Sequence, residues 1–83
     1  MGYIDKKKIQ EITESFLTPD QRSSVDAARS FFDGKMFILG SSVEKGDIAR
    51  EDLGQNIAGV LKQFKIYLSP TEIANLQKKI NYV

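Results

Sequence analysis

The apolar residues of the chain recur at the spacing of amphipathic α-helices. Over residues 5–16, Ile9, Ile12 and Phe16 stand at positions i, i+3 and i+7, so they share one face of a helix with a period of 3.6 residues. Asp5 is well placed as the N-cap, because a short polar side chain there accepts a hydrogen bond from a free N–H of the first turn. The first predicted element is therefore a helix over residues 5–16.

Two later segments carry the same helix-start signal. Thr18 and Ser69 are each followed directly by proline, and then by Gln or Glu three positions after the hydroxyl residue. Proline is tolerated in the first turn, and the Gln or Glu side chain can close a capping box. Helices are therefore predicted to begin at Pro19 and Pro70. The second of them runs to about Asn81 and presents Ile73, Leu76 and Ile80.

The length of the helix that begins after Thr18 has two interpretations. Its apolar stripe continues through Val25, Ala28, Phe32, Met36 and Leu39. The dipeptide Asp33-Gly34 interrupts it, because this pair favours a turn and glycine inside a helix costs about 1 kcal/mol relative to alanine. Either one long helix reaches Leu39, which we favour, or the helix ends at Phe32 and residues 36–39 form a short buried strand.

A loop and a further helix are expected in the middle of the chain. Residues 40–46 contain two glycines and two serines, a composition typical of loops. A helix over residues 49–64 follows, with an apolar face made of Leu53, Ile57, Val60, Leu61 and Phe64. Gly54 and Gly59 weaken this helix, so a close neighbour or other tertiary contacts must stabilise it. Together the elements predict an all-α fold, a small four-helix domain spanning residues 1–83.

Composition excludes several kinds of chemistry. The 83 residues include no cysteine and no histidine, which removes the thiolate nucleophile, the zinc–thiolate site and the commonest general base. Acidic residues such as Asp47, Glu51 and Asp52 are close in sequence, but they are explained as first-turn acids that favour the helix dipole. We therefore expect no catalytic residue, no bound cofactor and no enzymatic activity.

The charge balance limits the class of partner. Twelve basic and eleven acidic residues give a net charge of +1, whereas a nucleic-acid or anionic-membrane partner usually requires a concentrated basic face. The sequence also has no apolar run long enough for a signal peptide or a membrane span. A cytoplasmic protein that binds no membrane is expected, and the charge balance argues against a nucleic-acid partner.

The segment Gly46-x-Ile48-x-x-x-Asp52-Leu53-Gly54 resembles the second half of an EF-hand loop and the helix that leaves it. Residues 64–73 are similar to the linker and next helix start of calmodulin and myosin light chains, and residues 17–21 to the start of their first helix. With Gly46 at the sixth loop position, the first, third and fifth positions fall to Ser41, Val43 and Lys45. Because those positions need oxygen ligands for calcium, the resemblance implies an EF-hand-like helix-loop-helix, with an extra N-terminal helix, that binds no metal.

The same resemblance implies a function. EF-hand lobes without calcium ligands act in myosin light chains by wrapping an amphipathic helix in an apolar groove. The resemblance places in that groove Phe37, Leu53, Ile57, Val60, Leu61, Phe64, Ile73 and Leu76. The expected activity is that of a calcium-independent, light-chain-like adaptor, and the expected partner is an amphipathic IQ-type helix of a myosin or another scaffold protein. The alternative is that these side chains simply form the core.

Two other functions are open at this point. Residues 51–54, followed by residues 64–70, are similar to an acyl-carrier protein, but Gln55-Asn56-Ile57 stands where the attachment serine belongs. The other is a small helical-bundle regulator that acts on another protein or on DNA. A helix-turn-helix would fall at residues 46–69, although no helix rich in Arg, Asn and Gln is present there.

Overall fold

The computed structural model describes residues 3–83, which form five α-helices and one short 3₁₀ helix. The helices are α1 (Lys6–Glu14), α2 (Pro19–Ala27), α3 (Arg29–Lys45), α4 (Leu53–Lys62) and α5 (Pro70–Ile80), and the 3₁₀ helix (Arg50–Asp52) leads directly into α4. No strand occurs in residues 3–83. None of the helices in this range is long and apolar enough to cross a lipid bilayer. The prediction of an all-α fold is confirmed, with one helix more than expected.

Local side chains cap three of the helices as predicted. Asp5 Oδ1 accepts a hydrogen bond from the Lys8 N–H at 3.0 Å. Thr18 and Ser69 each form a complete capping box with the Gln or Glu three positions later. Each box satisfies two N–H groups that the helix leaves free, and loss of such a cap typically costs about 1 kcal/mol. These three helix starts are therefore encoded within one turn of chain.

The long helix expected in the second quarter of the chain is divided at Ala28. This residue leaves the helical region, with φ −131° and ψ 46°, and α3 begins immediately after it. α3 then continues past the dipeptide Asp33-Gly34, where Asp33 accepts hydrogen bonds from the side chains of Gln10 and Arg29. The strand considered for residues 36–39 is therefore wrong, and the favoured helical interpretation of that segment is confirmed.

α3 also continues through residues 40–45, where a loop was expected. It ends at Gly46, which adopts the left-handed conformation with φ 85°. Asp47 N–H donates to Ser42 O at 2.8 Å and Gly46 N–H donates to Val43 O at 3.0 Å, the two bonds of a Schellman motif. The loop prediction was wrong, because this glycine ends a helix. The residues aligned with EF-hand loop positions, Ser41, Val43 and Lys45, lie on helical backbone.

Four of the helices close a ring around one core. α1 packs against α3 and α5, α4 packs against the same two helices, and α2 packs on α3. Every α-helix contributes side chains to the core, which contains Ile4, Ile9, Leu17, Val25, Phe32, Met36, Val43, Leu53, Ile57, Val60, Leu61, Ile66, Leu76 and Ile80. α1 runs antiparallel to α3, because Lys6 at its start reaches Glu44 and Glu14 at its end reaches Arg29.

The start of α4 is joined to α5 by the side chain of Gln77. Its Oε1 accepts a hydrogen bond from the Gly54 N–H at 2.6 Å, and its Nε2 donates to Arg50 O at 2.9 Å and to Asn81 Oδ1 at 2.8 Å. A Cβ atom added at Gly54 would lie 2.8 Å from Gln77 Oε1. The expected close neighbour therefore exists at Gly54, whereas at Gly59 nothing lies within 4 Å of an added Cβ.

The chain leaves α4 through a second Schellman motif. Ile66 N–H donates to Leu61 O at 3.1 Å, and Lys65 N–H donates to Lys62 O at 3.0 Å. Lys65 takes the left-handed position with φ 59°, which is usually occupied by glycine. Ile66 and Leu61 are both buried, so the apolar contact that accompanies this motif ties the linker to the core.

Candidate functional site

Most of the residues predicted to line a partner groove lie in the core. Leu53, Ile57, Leu61 and Leu76 are fully buried, and Val60 is nearly so. Phe64, in the linker after α4, and Ile73, in α5, are half-buried. A partner cannot reach the four fully buried side chains without separating the helices. Of the eight, only Phe37 is exposed, at 60% of its surface.

α3 instead exposes three large apolar side chains. Phe31, Phe37 and Ile38 are 48%, 60% and 58% exposed. The other large hydrophobic residues exposed within residues 3–83 are tyrosines, whose hydroxyl groups interact with water. Together with Gly34, these three residues occupy one side of the helix, opposite the buried Phe32. We call the surface made by Phe31, Gly34, Phe37 and Ile38 the α3 face.

A groove of about 670 Å³ lies between α1 and α3, beside the α3 face. Its lining consists of Lys6, Lys7, Gln10, Glu11 and Glu14 from α1 and Asp33, Gly34 and Phe37 from α3. A volume of this size lies in the range of about 300–1,000 Å³ typical of ligand sites in proteins. The groove shares Gly34 and Phe37 with the α3 face, so the two form one continuous surface.

The backbone of α3 is open to contact at Gly34. No atom lies within 4 Å of the place that a Cβ atom would occupy there. At Gly40, further along α3, an added Cβ atom would lie 2.7 Å from Lys6 Cγ. The packing of α1 therefore accounts for that glycine. Nothing in residues 3–83 packs on Gly34, and another helix can therefore approach α3 closely at this point.

The two ends of the groove carry opposite charges. Lys6 and Lys7 lie at the end where α1 begins, and Glu11, Glu14 and Asp33 lie toward the end where α1 stops. Lys6 Nζ is also 5.3 Å from the centre of the Phe37 ring, a distance at which a cation is attracted to the ring face. The basic end of the groove is therefore next to its main aromatic side chain.

The acidic end is held together by Arg29. Its guanidinium binds Glu14 at 2.9 Å, Asp33 at 3.3 Å and also Asp26. The hydrogen bonds that Arg29 donates to Glu14 and then to Asp26 raise the pKa of Arg29 further above its already high ordinary value, so Arg29 stays charged. Arg22 lies beside Glu11 and Glu14 as well. Four carboxylates around two arginines leave this end with an excess of negative charge.

The basic end is fixed in place by Glu44. Its carboxylate accepts a hydrogen bond from Lys6 Nζ at 2.8 Å and another from the Ile4 N–H at 2.9 Å. Both bonds favour the ionised form, Lys6 more strongly, and they hold the pKa of Glu44 below its ordinary value. Ile4 is 1% exposed, so the start of α1 is anchored both by charge and by burial.

The chain shows neither a metal site in its described residues nor a match to known proteins. Within residues 3–83, no group of three or more His, Cys, Asp or Glu side chains is placed to hold a metal ion. Comparison of the chain with family models, with curated proteins and with solved structures finds no match. The α3 face and the adjoining groove are therefore the candidate functional site.

Proposed function

We propose that this protein is a calcium-independent, light-chain-like adaptor that binds an amphipathic helix of another protein. The docking site is the α3 face together with the groove beside α1. The observation that supports this proposal is the exposure of Phe31, Phe37 and Ile38 on one side of α3. Phe64 packs against Phe31 but leaves about half of that side chain exposed. Exposed apolar surface of this kind on a small domain typically marks an interaction site.

The dimensions of the surface suit a helix. α3 has 17 residues, which corresponds to a length of about 25 Å. A partner helix that binds such a surface places apolar anchors at i, i+3 or i+4, and i+7. The open backbone at Gly34 allows the two helix axes to come within about 8–10 Å of each other.

The exposed apolar area sets the scale of the affinity. Phe31, Phe37 and Ile38 together expose roughly 300 Å² of apolar surface, given the usual size of such side chains. At about 25 cal/mol per Å², its burial contributes about 7 kcal/mol before the cost of association is subtracted. We therefore expect micromolar rather than nanomolar binding of a single helix.

The proposed site differs from the one inferred by resemblance. It retains Phe37 as an anchor and moves the remaining contacts from α4 and α5 to α3. The IQ-type helix of a myosin or another scaffold protein is the partner suggested by the resemblance, and it is the first ligand to test.

Peptide titration followed by NMR tests the proposal. Helical peptides, including an IQ-type peptide, are added to ¹⁵N-labelled protein, and the amides of Phe31, Gly34, Phe37 and Ile38 are expected to shift most. Phe37→Ser removes the most exposed anchor on α3 and is expected to weaken binding about tenfold. The control Tyr67→Ser changes an aromatic residue of similar exposure in the α4–α5 linker and is expected to leave binding unchanged.

Two results would contradict the proposed function. One is the absence of shifts with every helical peptide up to millimolar concentration. The other is a set of shifts confined to α4 and α5, which would place the partner elsewhere.

A further inference from the structure

The charges of α1 run in the order that weakens an isolated helix. The first turn contains Lys6, Lys7 and Lys8 and no acidic residue, while the last turn contains no basic residue and ends at Glu14. The helix dipole favours the opposite order, with acidic residues at the N-terminus and basic residues at the C-terminus. The stability of α1 therefore does not account for this arrangement.

Internal ion pairs account for only part of it. Lys6 binds Glu44 and Glu14 binds Arg29. Lys7 and Glu11 are exposed, line the groove and form none of the ion pairs found in residues 3–83. They also stand four positions apart with lysine first, the less favourable order for such a pair on a helix. Both side chains therefore line the groove and take part in no ion pair within residues 3–83.

We infer that the groove selects the direction and the charge order of the bound helix. The preferred partner has acidic residues in its N-terminal turns and basic residues in its C-terminal turns, and it lies parallel to α1 and antiparallel to α3. This inference rests on the proposed function and specifies the ligand of that same site.

Charge complementarity at both ends of the groove supports this direction. Acidic residues of the partner would meet Lys6, Lys7 and the positive end of the α1 dipole. Its basic residues would meet Glu11, Glu14 and the negative end of that dipole. A helix charged in this way also complements its own dipole, so it is stable before it binds. A helix that is basic along its whole length gains at one end and is repelled at the other.

Two synthetic peptides test the inference. Each has about 18 residues, enough to span the groove, with leucines on one face, alanine at its centre and the same hydrocarbon staple on the polar face. The N-acidic peptide carries glutamates in its first two turns and lysines in its last two, and the N-basic peptide has these charges exchanged. In fluorescence anisotropy, the N-acidic peptide is expected to bind about three- to tenfold more tightly at about 20 mM salt. The ratio is expected to approach one at about 0.5 M salt, because exposed charges are screened.

The variant Lys7→Glu/Glu11→Lys provides the decisive comparison. It exchanges the two unpaired charges without changing composition or net charge, and it gives α1 the favourable glutamate-to-lysine order. The variant is expected to abolish or invert the preference between the peptides. The ratio of the dissociation constants of the two peptides is compared between the two proteins. Any difference in helix content between the peptides cancels in this comparison. The control Glu51→Lys/Lys65→Glu exchanges two exposed charges outside the groove and is expected to keep the wild-type preference.

The remaining outcomes distinguish failure of this inference from failure of the proposed function. Equal binding of both peptides to the wild type, or an unchanged preference in the Lys7/Glu11 variant, overturns the inference and leaves the adaptor proposal standing. A monomeric protein that binds neither peptide overturns both. Binding of neither peptide, with sedimentation showing a dimer that Phe37→Ser dissociates, assigns the α3 face to a second copy of the chain and also overturns both.

Discussion

Replacement of Gly34 by alanine is expected to stabilise the protein. Gly34 lies in the interior of α3, and no atom within 4 Å would obstruct an added Cβ. Alanine in the interior of a helix is favoured over glycine by about 1 kcal/mol, since glycine loses more backbone entropy on folding. For a domain of this size, a gain of that magnitude raises the Tm by about 4–8 °C.

Two other glycines serve as matched comparisons. Gly59 lies in α4 with the same open surroundings as Gly34, so Gly59→Ala is expected to give a similar gain. At Gly54 the added Cβ would lie 2.8 Å from Gln77 Oε1 and 3.1 Å from Gln77 Cβ. Overpacking of this kind costs about 1–3 kcal/mol. Gly54→Ala is therefore expected to destabilise the protein.

Urea and thermal unfolding, followed by far-UV circular dichroism, measure these three changes. The m-value should stay constant, because the surface exposed on unfolding does not change. Destabilisation by Gly34→Ala, with stabilisation by Gly59→Ala, would mean that α3 bends at Gly34 and would refute the continuous helix. Gly34→Ala and Gly59→Ala should also differ in their effect on peptide binding. Gly34→Ala obstructs a closely approaching helix and weakens its binding, whereas Gly59→Ala does not.

Three further predictions concern the ends of helices and the dependence of stability on pH. Lys65→Gly is expected to raise the free energy of unfolding by up to about 1 kcal/mol, because Lys65 has a positive φ. Gly46→Ala is expected to lower the free energy of unfolding by about 1 kcal/mol or more, because Gly46 also has a positive φ. The urea midpoints of the two variants should therefore move in opposite directions. Thr18→Ala is expected to cost about 1 kcal/mol by removing a capping box, and an unchanged midpoint would show that the box contributes nothing. Lys6 lowers the pKa of Glu44 from its ordinary value of 4.5. As the pH drops below that value, Glu44 takes up a proton in the unfolded chain before it does so in the folded protein, so stability falls. Glu44→Gln should remove this part of the dependence of stability on pH, and identical pH profiles of the variant and the wild type would contradict the prediction.

The helix starts were predictable because their signals are local. Asp5, Thr18 and Ser69 accept hydrogen bonds from N–H groups three residues away. Such bonds form within one turn whatever the rest of the chain does. The same holds for the prolines at the start of α2 and α5, whose fixed φ suits a first helical turn. Single-sequence reasoning is sufficient for features of this range.

The helical state of residues 40–45 was not predictable in the same way. Gly46 has a positive φ, which suits both a mid-loop bend and the residue that ends a helix. The contacts that favour the helix are distant in sequence: Val43 is buried in the core, and Gly40 packs against Lys6 of α1. The composition of this segment, read alone, therefore favoured a loop.

The break at Ala28 likewise has no local signal. Alanine has the highest intrinsic helix propensity of all residues, so a continuous helix was the natural expectation. The next residue, Arg29, gathers carboxylates from three helices, namely Glu14 of α1, Asp26 of α2 and Asp33 of α3. No pattern in one segment encodes a junction of this kind, because Glu14 reaches Arg29 only when α1 docks.

Of the α3 face, only Phe37 was predicted from the sequence, for a related reason. Periodicity finds the apolar face of a helix, but it does not tell which element covers that face. Leu53 and Ile57 were assigned to a groove, and packing against α3 and α5 buries them. A usable signal was present in α3, where Phe31, Phe37 and Ile38 are apolar residues beyond those needed for one buried face. An excess of this kind predicts a second contact surface.

The amide of Gln77 has a consequence for the order of folding. It bonds groups at the start of α4 and at the end of α5, and all of these lie between residues 50 and 81. Short-range contacts form early, because little loop entropy is lost in closing them. We expect the α4–α5 hairpin to form the nucleus and α1 to join last, since the Ile4–Glu44 bond spans 40 positions. In native-state hydrogen exchange, amides of α1 that outlast those of α4 would exclude this order.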